Sequence, residues 1–221
     1  MPEPVRHVVP VTTHGCYLTA APETGGPHPV LVGFHGYAQN AAWMLGALAA
    51  LDPDERWLRV SVQGLHRFYA KDNGVVASWM TREDREAAIA DNIAYGLQVQ
   101  REVTAAFVVR APLVLAGFSQ GVAQAYRVAA ALGSACHGVI ALAGDVPPDV
   151  APVAATLPPV LLGRGSADAW YTAATFDADA ATLRAAGVRL ETCAFDAGHE
   201  WAPAFAAAAR RWLSALDQSR G

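Results

Sequence analysis

Residues 112–128 read PLVLAGFSQGVAQAYRV, and their reading decides the fold. Leu113, Val114, Leu115 and Ala116 make an apolar run of strand length. Gly117-Phe118-Ser119-Gln120-Gly121 follows at once, and Val122, Ala125, Tyr126 and Ala129 then recur at helical spacing. A strand, a glycine-flanked serine and a helix predict a nucleophile elbow. The turn is tight, so a Cβ at Gly117 or Gly121 would crowd neighbouring backbone. The strain lifts the Ser119 hydroxyl clear of the sheet and brings the unpaired N–H groups of the helix N-terminus to the same place.

Working outward, apolar runs alternate with helical patterns. Val30 to Phe34 predicts a buried strand that leads into His35-Gly36-Tyr37, and Asn40 can cap a helix through Leu51. Trp57 to Val62 predicts a strand. A helix is expected from Thr81, as a possible cap, to about Val108, because Ile89, Ile93 and Leu97 share a face, as do Val99, Val103 and Phe107. Downstream of the elbow, Gly138 to Ala143, Val160 to Gly163 and Arg189 to Phe195 predict strands. Helices are expected over Thr172 to Ala186 and from Pro203 onward, with a proline-rich loop over Gly144 to Pro159. The pattern predicts an α/β fold with a mostly parallel sheet covered on both faces. At the start, His7 to Val11 and Cys16 to Ala20 read as an opening hairpin. His66 to Met80 has no sustained period and reads as a loop over a site. No repeat or composition break divides the chain, so residues 1–221 are expected to form a single domain.

Composition narrows the function classes. Hydrophobic residues make up 53% and charged residues 16%, which is a globular balance. The net charge of -4, with Lys71 the only lysine, gives no basic stripe for nucleic acid. No stretch has the length of a signal peptide's apolar core or of a membrane span, so no integral membrane segment is expected. Cys16, Cys136 and Cys193 are scattered and lack metal-ligand spacing, so no metal site is expected and a reduced, cytoplasmic setting is the simplest reading.

Ser119 needs a base, and the base needs a group to hold its tautomer. In elbow folds they follow in the order Ser, Asp or Glu, His. Asp168 follows the Val160–Gly163 strand, and His199 follows the last strand in Asp196-Ala-Gly-His. Both lie beyond carboxyl ends of predicted strands, where α/β sheets build sites. Asp145, one strand earlier, and Asp196 remain rivals for the acid; His137 precedes a strand and so falls at the wrong edge. The oxyanion donors are expected to be the backbone amides of Gln120 and Tyr37. His35 reads as a group that orders the loop, with an ordinary turn residue as the alternative.

On Phe34-His35-Gly36, Gly117-Phe118-Ser119-Gln120-Gly121, Asp168 and Gly198-His199, the chain resembles α/β-hydrolases of the phospholipase/carboxylesterase family, which includes bacterial carboxylesterases and acyl-protein thioesterases. The resemblance runs from Val30 onward. It implies an eight-stranded sheet with its second strand antiparallel, a Ser-His-Asp mechanism and no cofactor. Tyr37-Ala38 stands where the family commonly has Leu-Gly, and Val122 where many relatives have a second glycine. The expected activity is hydrolysis of small or short-acyl carboxylic esters, since no insertion is large enough for a lid domain. An acyl thioesterase or lysophospholipase, and a non-catalytic binding protein of the same fold, are the other readings. The expected partner is a small-molecule ester met by a monomer or homodimer. Phe68 or Tyr69, Trp79, Met80, Val146 to Pro148 and Trp170 are the candidate substrate wall, with plain core packing as the alternative for each aromatic.

Overall fold

Four successive strands of the sheet split their side chains between two cores by strict alternation. In the strand around Val32, Val30, Val32 and Phe34 enter one core and Leu31 the other. Leu113 and Leu115 oppose Val114 and Ala116 in the same way, Val139 and Ala141 oppose Ile140, and Val160 and Leu162 oppose Leu161. A strand buried on both faces must be apolar at every position, which is why these segments read as unbroken runs.

The computed structural model describes residues 3–218. Its strands are β1 (Tyr17–Ala20), β2 (His28–Phe34), β3 (Leu58–Val62), β4 (His66–Tyr69), β5 (Val75–Ser78), β6 (Val109–Phe118), β7 (Gly138–Leu142), β8 (Val160–Gly165) and β9 (Leu190–Phe195). The helices are α1 (Ala41–Ala49), α2 (Arg85–Ala106), α3 (Gln120–Leu132), α4 (Ala173–Ala185) and α5 (Pro203–Gln218). Seven strands form one sheet in the order β1-β3-β2-β6-β7-β8-β9, parallel throughout except for β1, which runs antiparallel to β3. Helices α1 and α5 cover one face through Met44, Leu48, Phe205 and Trp212; α2, α3 and α4 cover the other through Val99, Val103, Val122, Tyr126 and Leu183. Burying each such side chain contributes roughly 1.5–3 kcal/mol.

The sheet departs from the eight strands implied by the family resemblance. His7 to Val11 forms no strand: Val8, Val9 and Val11 are exposed, and Pro10 has no N–H to give a ladder. The antiparallel strand is therefore the first of seven, not the second of eight. Residues 66–80 hold a second difference. In place of a loop, β4 and β5 pair as an antiparallel hairpin with Phe68 opposite Val76 and Tyr69 opposite Val75. Its turn is Asp72-Asn73-Gly74, where Asn73 takes φ 63° and Gly74 N–H donates to Asp72 Oδ1 at 3.0 Å. The hairpin docks on the loop after β2 through Ala77 N–H to Gln39 O (2.8 Å) and Ala38 N–H to Ala77 O (3.0 Å).

Helix ends differ in instructive ways. Asn40 caps α1, accepting from Trp43 N–H at 2.9 Å, and Thr172 caps α4. Thr81 caps nothing; its hydroxyl accepts from Glu83 N–H in a local turn, and α2 starts three residues later than expected, at Arg85 after Asp84. The loop from Gly144 to Pro159 contains one 3₁₀ helix, Ala151–Thr156. Among the described residues no insertion forms a separate lid, and no helix is long and apolar enough to cross a membrane.

Candidate active site

Ser119 joins β6 to α3 at φ 52°, ψ -121°, a conformation that costs a non-glycine residue roughly 1–3 kcal/mol. The surroundings hold it there. Ser119 N–H donates to Leu142 O on β7 at 2.9 Å, and Val122 N–H donates to Ser119 O at 3.0 Å. A Cβ on Gly117 would lie 2.5 Å from Gly121 O, and one on Gly121 would overlap the Phe34 carbonyl. Both glycines are thus required by close approach of backbone to backbone.

The imidazole of His199, on the loop between β9 and α5, faces this serine with Nε2 2.9 Å from Ser119 Oγ. Its Nδ1 lies 2.8 Å from Asp168 Oδ2, on the loop after β8. An ionised carboxylate only accepts, so Nδ1–H donates to Asp168 and, in the neutral imidazole, Nε2 is left to accept from the serine hydroxyl. Asp168 is 3% exposed, and its second oxygen accepts from the Trp170 and Tyr171 amides at 2.8 and 2.9 Å. Arg164 holds the loop from outside: Nε donates to Tyr171 O at 2.7 Å, and Nη2 to Ser166 O and Asp168 O at 3.2 and 3.3 Å. The Phe118 ring packs against His199 at 5.2 Å between centroids.

The rivals sit elsewhere. Asp196 is exposed and reaches Ser166 Oγ at 3.4 Å, and Asp145 is an exposed residue of the cleft wall. His137 lies at the opposite edge of the sheet, where its Nδ1 accepts from Leu113 N–H at 3.0 Å.

The loop after β2 is tied down from within. His35 is fully buried; Gly64 N–H donates to its Nε2 at 3.0 Å, which leaves the ring proton on Nδ1 to donate to Gly36 O at 2.7 Å. Burial pushes the His35 pKa down and so favours the neutral ring that this pattern requires. Trp79 Nε1–H donates to His35 O at 2.8 Å, and Gly36 N–H donates to Gln39 Oε1, also at 2.8 Å. A Cβ on Gly36 would come 3.2 Å from Ser119 Cβ, so the loop passes directly beside the serine. The amides of Tyr37 and Gln120 meet no protein acceptor among the described residues.

A cleft of about 730 Å³ opens over Ser119 and His199. Of the candidate wall residues, Trp79, Met80, Pro147, Pro148 and Trp170 line it, together with Tyr171. Phe68 does not; it lies beside the Tyr37 ring at 5.6 Å on the hairpin, and Tyr69 next to it is 75% exposed, because a two-stranded ribbon has no second layer to bury its faces. Val146 is also outside the cleft. It is packed in the core, with its N–H donating to Asp179 Oδ2 at 3.1 Å. Burial pushes the Asp179 carboxyl pKa up, and Tyr171 O–H donates to the same oxygen at 2.8 Å.

Two positioning side chains escape a reading of the sequence. Gln120 grips the segment after β5: its Oε1 accepts from Trp79 N–H (2.9 Å) and Ser78 O–H (3.2 Å), while Nε2 donates to Met80 O (2.9 Å). Asn92, 1% exposed on α2, donates to Trp79 O at 2.6 Å; a lone amide on an otherwise packed helix face was its only signal. Among the described residues no three His, Cys, Asp or Glu side chains are grouped to hold a metal ion.

A parallel sheet with an antiparallel edge, a serine on the β6–α3 turn, an acid after β8 and a histidine after β9 define the α/β-hydrolase fold. Solved structures agree. The chain is similar to esterase PE8, with a TM-score of 0.74 and 20% identity over 92% of this chain and 100% of that one. It is similar to a carboxylesterase of Bacillus cereus, with a TM-score of 0.71 and 17% identity over 91% and 94% of the two chains. Acyl-protein thioesterase 2 of Zea mays gives a TM-score of 0.65 and 18% identity over 92% and 99%. No family model and no curated protein matches the sequence. The likeness is one of fold.

Proposed function

We propose that this protein is a serine carboxylesterase acting on small or short-acyl esters through an acyl-enzyme. The observation that carries the reading is the unbroken relay from Ser119 Oγ to His199 Nε2 and from Nδ1 to Asp168, at 2.9 and 2.8 Å. Ser119 Oγ attacks the ester carbonyl while His199 Nε2 takes the hydroxyl proton, and Asp168 stabilises the imidazolium that forms. The oxyanion of the tetrahedral intermediate accepts from the Tyr37 and Gln120 amides, each of which lacks a protein acceptor. Collapse breaks the ester C–O bond, and the departing alcohol takes the proton from His199. Water, deprotonated by the same nitrogen, attacks the acyl-serine; the acid leaves and Oγ recovers its proton. The open cleft and the absence of a separate lid among the described residues support a small ester.

A fluorophosphonate probe tests the reading: it should label the protein stoichiometrically, and Ser119→Ala should abolish labelling. An unlabelled, correctly folded protein would favour a binding protein of this fold. The same groups can act on thioesters, and competing turnover of matched oxoesters and thioesters decides between the two.

A further inference from the structure

The cleft carries a feature that ester hydrolysis does not require. Besides its apolar wall it is lined by Arg82, Arg85 and Arg127, with Asp145 as the only carboxylate among the described residues that line it. Arg127 is occupied: its buried guanidinium pairs with Asp149 through two 2.7 Å hydrogen bonds. Arg82 and Arg85 are not. Arg82 makes no hydrogen bond or ion pair with any described residue, and Arg85 offers Nη1–H only to the weakly accepting Met80 Sδ, at 3.4 Å.

Exposed arginines need no partner, so exposure alone means little. What gives these two a direction is the fate of the acids around them. The segment reads Arg82-Glu83-Asp84-Arg85, yet both central carboxylates turn to Arg6: Glu83 lies 3.3 Å from its guanidinium, and Asp84 is bonded to it by both oxygens. Asp149 lies near enough for Arg85 to act on its carboxyl, but its oxygens are already committed to Arg127. Asp145 also lines the cleft, and neither arginine is bonded to it. Glu86 is exposed and makes no hydrogen bond or ion pair with either arginine. Two uncommitted guanidinium groups three residues apart therefore face a cleft whose other walls are Trp79, Met80, Pro147 and Trp170. Low-dielectric walls concentrate such a field, and guanidinium forks match carboxylate and phosphate oxygens.

We infer that the cleft selects esters carrying an anionic group at the end remote from the reacting carbonyl, with Arg82 and Arg85 as the recognising pair and an apolar spacer between. The inference rests on the esterase reading for the reacting end and deepens it to a substrate class: a half-ester of a dicarboxylic acid, or an acyl chain ending in a phosphorus oxyanion.

The test has a turnover arm and a binding arm. For turnover, mono-p-nitrophenyl succinate, glutarate and adipate are compared with p-nitrophenyl butyrate, with p-nitrophenyl 4-phosphonobutyrate and with a trimethylammonium-terminated analogue. The best anionic ester should exceed the neutral one in kcat/KM by about tenfold, and the preference should shrink as salt is added. In Arg82→Gln/Arg85→Gln the ratio should collapse towards one; in Arg82→Glu/Arg85→Glu it should invert in favour of the cationic ester. The carboxylate and phosphonate arms say which oxyanion fits better. For binding, Ser119→Ala protein is titrated with 4-phenylbutyrate and with 4-phenylbutan-1-ol by calorimetry. The carboxylate should bind about tenfold more tightly, and the double glutamine change should remove the difference. Equal kcat/KM for neutral and anionic esters with equal binding of acid and alcohol overturns the inference and leaves the esterase reading standing. Selective carboxylate binding in a protein that neither hydrolyses esters nor takes the fluorophosphonate does the reverse.

Discussion

The two rims of the cleft are built on opposite plans. On the rim that carries Asp168 and His199, nearly every polar group is spoken for: Asp168 accepts three hydrogen bonds and the Arg164 guanidinium donates to three backbone carbonyls. On the rim of residues 81–85, two guanidinium groups have no carboxylate, and Asp84, the residue before α2, makes no side-chain cap. The first rim is organised before any ligand arrives, as electrostatic catalysis demands. The second leaves its hydrogen-bonding capacity to whatever enters. Substitutions should therefore hurt chemistry and folding on one side, and selectivity on the other.

The largest effect is expected at the relay. Asp168→Asn should lower kcat by roughly 10⁴-fold with little change in KM, since the amide favours the wrong tautomer of His199; a loss below tenfold in steady-state kinetics would break the comparison at its strongest point. Gly36→Ala comes next. Its new Cβ must push aside Gln39 Oε1, 2.9 Å away, and Ser119 Cβ, so the Tyr37 amide moves and kcat should fall by about a hundredfold, near the loss of one oxyanion donor. Third, Arg164→Gln should destabilise the fold by about 2 kcal/mol in urea melts, since it strips charged donors from three carbonyls.

His35 sharpens the comparison through pH. Its folded pKa lies below the ordinary 6.5, so the unfolded chain binds the proton more readily. The stability that the neutral ring contributes is complete above pH 6.5 and drains away as pH falls from there towards the folded value. Melting temperatures at pH 7.5 and 5.5 should thus differ more in the wild type than in His35→Asn, and the subtraction cancels groups common to both. The smallest effect belongs to the loose rim: Arg82→Gln should change stability by less than about 0.5 kcal/mol. A loss as large as that of Arg164→Gln would show that Arg82 is structural after all.

Much of this was legible in the chain. Strands buried on both faces leave unbroken apolar runs, and a serine turn squeezed between backbones demands glycine, so β2, β6, β7 and β8 and the position of Ser119 could be read directly. Asp168 and His199 could be placed because both follow strands and therefore arrive at one edge. Their separation in space was only an expectation until the 2.8 and 2.9 Å contacts appeared. The hairpin β4–β5 stayed hidden because each strand has four residues and a single partner, so no buried face imposes a period. Its Asp-Asn-Gly turn was the available signal. Phe68, Tyr69 and Val146 were misplaced for a related reason: aromatic and β-branched residues near a site look alike whether they face a ligand, solvent or core. The arginines of the second rim carry no pattern at all. Only the pairing of Arg6 with Glu83 and Asp84, across a long stretch of chain, reveals that they are uncommitted.

Gln120 has a consequence for how the cleft can change shape. Its amide borders the serine while its carboxamide grips Ser78, Trp79 and Met80, so that wall is riveted to the first turn of α3 and travels with it. Prising the two apart would tear three hydrogen bonds at once. Widening the mouth to admit a bulkier acid should therefore start at the far jamb, where the Trp170 side chain stands 85% exposed. A library that aims to enlarge the acyl range should start there and leave the tryptophan at 79 alone.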